Sequence, residues 1–187
     1  MEFPFFTPVD KRLFESRIVQ VSGPVGSEMA HEVNRQLLAL EREAPDQPVY
    51  LYVNSPGGEI SSGFSIYDTA RFIQPEVITL VVGMAASMGS IISLCAEKKN
   101  RLSLPNAKFL IHQPLIGGTM IAPATDIDIH AKDILRTKRK INELYARETG
   151  KNIEEIEKAT DRDHWMDATE ALEFGHIGRI VQSRAEI

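Results

Sequence analysis

Twice along the chain a run of apolar, β-rich residues gives way to a glycine-rich turn and then to residues at helical spacing. Val49-Tyr-Leu-Tyr-Val53 runs into Asn54-Ser-Pro-Gly-Gly58 and a helical pattern over Ile60–Phe72. Val77–Val82 runs into Gly83-Met-Ala-Ala-Ser-Met-Gly89 and an apolar helical stretch over residues 87–96. A strand that ends in a tight turn and returns through a helix is a βαβ unit, and successive units of this kind build a largely parallel sheet. The flanking patterns agree. Arg17–Val21 reads as a strand, and Ser27 as the N-cap of a helix on which Met29, Val33, Leu37 and Leu40 share a face. Arg101–Leu104, Lys108–Ile111 and Ile180-Val181 read as short strands. The expected fold class is therefore α/β, with a single domain over residues 17–187. Residues 1–16 precede it as an arm, extended over the Phe- and Pro-rich residues 1–12.

One element stands apart. Thr125-Asp-Ile-Asp128 has the spacing of a capping box, and a helical pattern continues to Thr149 and stops at Gly150. A helix of that length spans about 36 Å at 1.5 Å per residue, long for so small a domain. Ile127, Ala131, Ile134, Ile141 and Tyr145 form one stripe, and Lys132, Arg136, Arg139, Lys140 and Glu143 the opposite face. Its length favours a helix that projects to meet a second subunit over one packed wholly on its own domain. Asp167 and Glu170 mark a further helix start, with Gly175 as its stop.

Composition narrows the function. A net charge of -5 argues against nucleic acid as a partner, because phosphate contacts require a basic face. The lone Cys95 lies in the apolar run Ile91–Ala96 and reads as a buried thiol, which fits a reducing compartment. No run reaches the roughly 18 apolar residues needed to span a bilayer, and the first residues lack the basic start and apolar stretch of a signal peptide. The expected location is the cytoplasm, away from membranes.

The chemistry-bearing residues gather at strand ends. Ser87 stands where a strand turns into a helix, between small residues that admit a substrate, and backbone N–H groups there favour developing negative charge. On that segment alone it reads first as an N-cap. Of five histidines, His31 and His130 lie in helical patterns, His164 in a charged loop, and His176 just after a helix end. His112 differs: it closes the strand Phe109–Ile111, at the carboxyl edge where α/β sheets hold their sites. Asp161-Arg162-Asp163 offers carboxylates to orient a base, and Ser55-Pro-Gly-Gly58 offers bare backbone N–H for an oxyanion. No single segment decides the matter, but together they supply every part of a serine hydrolase.

Four blocks, in order, resemble the ClpP family of Clp protease proteolytic subunits: Asn54-Ser-Pro-Gly-Gly58, Gly83-Met-Ala-Ala-Ser-Met-Gly89, His112-Gln-Pro-Leu115 and Thr160-Asp-Arg-Asp163. Thr125–Lys132 is similar to the start of that family's long handle helix, and the likeness runs from about Arg17 to Val181. The resemblance implies a ClpP/crotonase-like fold with a protruding handle over about 125–149. It implies Ser87 as nucleophile, His112 as general base and Asp163 as its orienter, with the N–H groups of Gly58 and Met88 as oxyanion hole. Gly57, Glu59 and Leu115 would lie along the bound peptide. It further implies homo- or hetero-oligomeric seven-membered rings, two of them stacked, fed with unfolded polypeptide by a AAA+ Clp ATPase. No metal or cofactor is expected in the chain itself, which has no P-loop motif for ATP.

Three departures accompany the likeness. The N-terminal stretch is unlike the family's, Leu115–Ala124 is longer and poorer in Gly and Gln, and Glu59 replaces a small residue after the glycine pair. They leave an alternative, a largely inactive scaffold subunit that completes a mixed ring with a paralogue.

Overall fold

The computed structural model describes residues 7–115, 117 and 121–187. The expectations for residues 1–6 and for part of the segment after His112 fall outside these. The chain divides into two compact units. One comprises the residues up to Leu110 together with Trp165–Ile187; the other is Ile111–His164.

The larger unit is built on a parallel sheet. Strands β1 (Ile18–Ser22), β2 (Val49–Ser55), β3 (Val77–Ala86), β4 (Arg101–Ser103) and β7 (Arg179–Ile180) run side by side in the order β1-β2-β3-β4-β7. β3 is long enough to serve two partners. Its first half pairs with β4 through Thr79, Leu80 and Val81, and its last residues pair with β5 (Lys108–Ile111) through Met84, Ala85 and Ala86. β5 in turn pairs with β6 (His164–Asp167). Inward-facing Val19, Val21, Leu51, Val53, Val81 and Phe109 are buried, as parallel strands covered by crossover helices require.

The crossovers are α2 (Ser27–Glu43), α3 (Ile60–Phe72) and the short α4 (Met88–Ser93). α2 buries Ala30, Val33, Leu37 and Leu40 along one face. Its N-cap is Gly26, and Ser27 is its first helical residue rather than its cap. Its far end is closed by Arg17, whose guanidinium donates to the carbonyls of Leu40, Ala44, Gln47 and Pro48 at 2.9–3.2 Å. A cation on the orphan carbonyls of a helix C-terminus satisfies both their hydrogen bonding and the dipole. Arg17 itself has φ 58°, outside the extended range, so β1 begins one residue later than the expected Arg17–Val21.

The arm is not wholly extended. Pro8–Glu15 forms helix α1, started by a capping box in which Thr7 and Asp10 exchange hydrogen bonds and Pro8 takes the first helical position. Helix α7 (Ala168–Phe174) has its expected capping box at Asp167 and Glu170 and its left-handed stop at Gly175.

The smaller unit holds α5 (Ala124–Thr149) and α6 (Ile153–Thr160). α5 is 26 residues long, about 39 Å at 1.5 Å per residue. It ends on Gly150 as expected, but its N-cap is Pro123 and Thr125 lies inside the helix. Its buried residues, Ile141, Asn142, Leu144, Tyr145 and Thr149, all belong to its last nine positions. Ile127, Ile129 and Leu135 are exposed. The stripe that reads as continuous in sequence is thus buried only at its C-terminal end.

His176 follows the α7 stop at Gly175 as expected, but inside the protein. It is fully buried, its ring edge-on to Phe109 and its Nε2 3.0 Å from the Ser93 hydroxyl. Burial, and next the charge of Arg101, lower its pKa from 6.5 to about 3. Below pH 6.5 the unfolded chain therefore binds a proton that the folded chain refuses. The resulting contribution to stability is complete above pH 6.5 and is lost as pH falls towards 3. Denaturant midpoints of His176→Gln should consequently fall less steeply than those of the wild type across that window. Parallel curves would show that another group sets the acid limit.

Candidate active site

Ser87 sits at the joint between β3 and α4 with φ 53° and ψ -121°. Few L-residues hold such a conformation without support. Here the support is a backbone clamp. The Ser87 N–H donates to the Leu110 carbonyl at 2.9 Å, and the Ser87 carbonyl accepts from the N–H of Ser90 at 3.0 Å and from its hydroxyl at 2.7 Å. The side chain is half-buried.

The Gly57-Gly58 loop lies against this joint. Gly57 has φ 88°, and a Cβ there would stand 2.6 Å from the Ala86 carbonyl oxygen and from Ser87 Cβ, and 2.8 Å from the Met88 nitrogen. Only glycine permits that approach. Gly58, at φ 151°, forms a parallel bridge with Val25: Val25 N–H donates to the Gly57 carbonyl and Glu59 N–H to the Val25 carbonyl, both at 2.9 Å. Neither of these two bonds uses the Gly58 N–H. Two residues that the sequence reading gave no separate role hold the loop in place. The buried Ser55 hydroxyl donates to the Gly23 carbonyl at 2.6 Å and accepts from the Gly57 N–H at 3.1 Å. The Asn54 side-chain carbonyl accepts from the Met84 N–H at 3.2 Å, where the β2–β3 register shifts.

In the smaller unit His112 follows directly from β5, and its Nδ1 lies 3.4 Å from Asp163 Oδ1. Asp163 stands in the short loop between α6 and β6. A carboxylate on Nδ1 holds the proton there and leaves Nε2 as the basic nitrogen. The His112 side chain is 18% exposed and the Asp163 side chain 65%. Among the described residues, no group of three or more His, Cys, Asp and Glu side chains is arranged to hold a metal ion.

The family model for Clp protease matches residues 6–184. The chain belongs to the Clp protease family. It is 47% identical over 175 residues to the ATP-dependent Clp protease proteolytic subunit 1 of Chlamydia muridarum (strain MoPn / Nigg), covering 94% of this chain and 91% of that one. It is accordingly a Clp protease proteolytic subunit, a serine peptidase.

The Clp protease match takes in every candidate named from the sequence. The larger unit brings together Ser87, Met88, Gly57 and Gly58; the smaller holds His112 and Asp163, with Leu115 exposed at 66%. Of the two carboxylates in Asp161-Arg162-Asp163, Asp163 is the one paired with His112. Glu59 stands at the head of α3, where its carboxylate accepts from the hydroxyls of Ser61 at 2.6 Å and Ser62 at 2.7 Å, bonds that lower its pKa. The remaining histidines fall away from the site by their placement: His31 and His130 are exposed on helices, and His176 is buried beside Ser93. His164 opens β6 rather than lying in a loop.

Gly57→Ala should reduce peptidase activity by about a hundredfold, since a displacement of the order of an ångström at a catalytic loop costs that much. Gly26→Ala, where nothing lies within 4 Å of the added methyl, should leave activity unchanged. Peptide-hydrolysis rates of the two purified variants test this, and equal rates would contradict the close approach of the loop.

Proposed function

We propose that this chain hydrolyses peptide bonds through an acyl-enzyme on Ser87. The observation that carries the reading is Ser87 held at φ 53° by a backbone clamp, with Gly57 packed on it, in a member of the Clp protease family. His112 Nε2 takes the Ser87 hydroxyl proton as Oγ attacks the scissile carbonyl. Asp163 holds the imidazole in the required tautomer and stabilises its charged form. The tetrahedral oxyanion is received by the N–H groups of Gly58 and Met88. Collapse expels the amine, which leaves with the proton from His112; water then attacks the ester, with His112 again as base, and frees the acid and Ser87. Gly57, Glu59 and Leu115 line the peptide on either side of the bond.

The same reading extends to assembly. The subunit works in stacked seven-membered rings, pure or mixed, in the cytoplasm, and receives unfolded polypeptide from a AAA+ Clp ATPase that spends the ATP. Supporting this are the long α5, which exposes Ile127, Ile129 and Leu135 over its first half, and the relative in Chlamydia muridarum, which is named as a subunit of an ATP-dependent protease. No helix among the described residues is long and apolar enough to cross a membrane. The scaffold alternative is not favoured by the comparison with a proteolytic subunit.

Steady-state kinetics on assembled particles test the assignment. Ser87→Ala and His112→Ala should each lower kcat by about 10⁴-fold or more with little change in KM. Asp163→Asn should cost less, on the order of 10²–10³-fold, because water already competes for so exposed a carboxylate. Activity retained by Ser87→Ala would overturn the assignment.

A further inference from the structure

We propose that Gln113 is a positioning residue that sets Asp163 against His112, and that Lys138 of α5 is its brace; the inference rests on the reading of His112 and Asp163 as base and orienter. The pair at 3.4 Å depends on the three-residue loop between α6 and β6. Asp161 and Arg162 are exposed, and Arg162 forms a 3.8 Å ion pair with its neighbour Asp161. β6, paired with β5, holds the end of this loop after Asp163; the end before it is tied to the strand by the residue after His112. The Gln113 backbone N–H donates to the Thr160 carbonyl at 2.6 Å, and its side-chain Nε2 donates to the Asp161 carbonyl at 2.7 Å. Gln113 thus holds the residues two and three before the catalytic carboxylate, while its own neighbour is the base.

The far end of the same amide is engaged as well. Gln113 Oε1 accepts from Lys138 Nζ at 2.9 Å. An ammonium only donates and a backbone carbonyl only accepts, so the amide fits one way round and a flip would lose both bonds. Thr160 is fixed on its own side: its buried hydroxyl lies 2.9 Å from both Asn142 Oδ1 and the Ile156 carbonyl. The loop is therefore held from α6 at Thr160 and from α5 through Lys138 and Gln113. Displacement at either point moves Asp163 relative to a ring nitrogen that it only just reaches. The Gln113 side chain touches no reacting atom in this scheme; its effect passes through Asp163.

The test is kcat and KM of size-selected particles carrying Gln113→Leu, Lys138→Met and Lys138→Arg, with Gln113→Leu repeated on an Asp163→Asn background. Gln113→Leu should lower kcat by about ten- to a hundredfold with KM within twofold. Lys138→Met should lower it less, and Lys138→Arg should restore most of it. On the Asp163→Asn background, Gln113→Leu should cost no more than about twofold further, since the group it positions is already disabled. A purely structural role would give the same loss on both backgrounds, and that result, or wild-type kcat for Gln113→Leu, would overturn the inference. If Asp163→Asn itself keeps wild-type kcat, the failure lies with the underlying reading of Asp163, and the inference falls with it.

Discussion

Ser87 holds its positive φ because its backbone is bonded on both sides, to Leu110 before the turn and to Ser90 after it. A backbone in that region costs of the order of 1–3 kcal/mol and persists only where its surroundings over-determine it. The larger unit is arranged to supply those surroundings. β3 must run on to Ala86 to deliver the turn, and β5 must pair with its last residues so that Leu110 can receive the Ser87 N–H. The glycine at 57 must be bare so that β2's loop can close on the joint. Ser55 and Asn54 then lock that loop to Gly23 and Met84.

The smaller unit solves a different problem, that of presenting a base with its carboxylate. His112 comes straight off a strand, so its backbone is settled by the sheet. Asp163 comes from an exposed loop; β6 follows it, but the side towards α6 needs an anchor of its own. The buried Thr160 and the amide of Gln113 supply it. α5 contributes at both levels: the five buried residues among its last nine pack the unit, and Lys138, midway along it, reaches Gln113.

Much of this was readable in the sequence where a local rule and the fold agree. α3 and β5 match their patterns, and Gly150 and Gly175 stop their helices in the left-handed conformation. Several of the misses share a cause: a tertiary partner outweighed the local signal. Gly83–Ala86 reads as turn by composition, yet it is strand, because β5 supplies the pairing that small side chains do not advertise. Arg17 reads as strand but is turned aside by the carbonyls at the end of α2. His176 reads only as a residue after a helix stop, whereas it is buried against Ser93 and Phe109. The helix from Pro8 was legible in Thr7 and Asp10 but was masked by the surrounding phenylalanines and prolines. At the site, spacing nominated Ser87, His112 and a pair of aspartates; the resemblance singled out Asp163. The parts of Ser55, Asn54 and Gln113 rest on hydrogen bonds to distant backbone, for which no spacing rule exists.

The central claim is that Ser87 is the nucleophile. A fluorophosphonate probe followed by peptide mass mapping reads it directly. The account predicts a single adduct on Ser87 in the assembled particle, abolished by prior denaturation. An adduct on another serine, or none on an assembled particle that is digesting peptide, would contradict it.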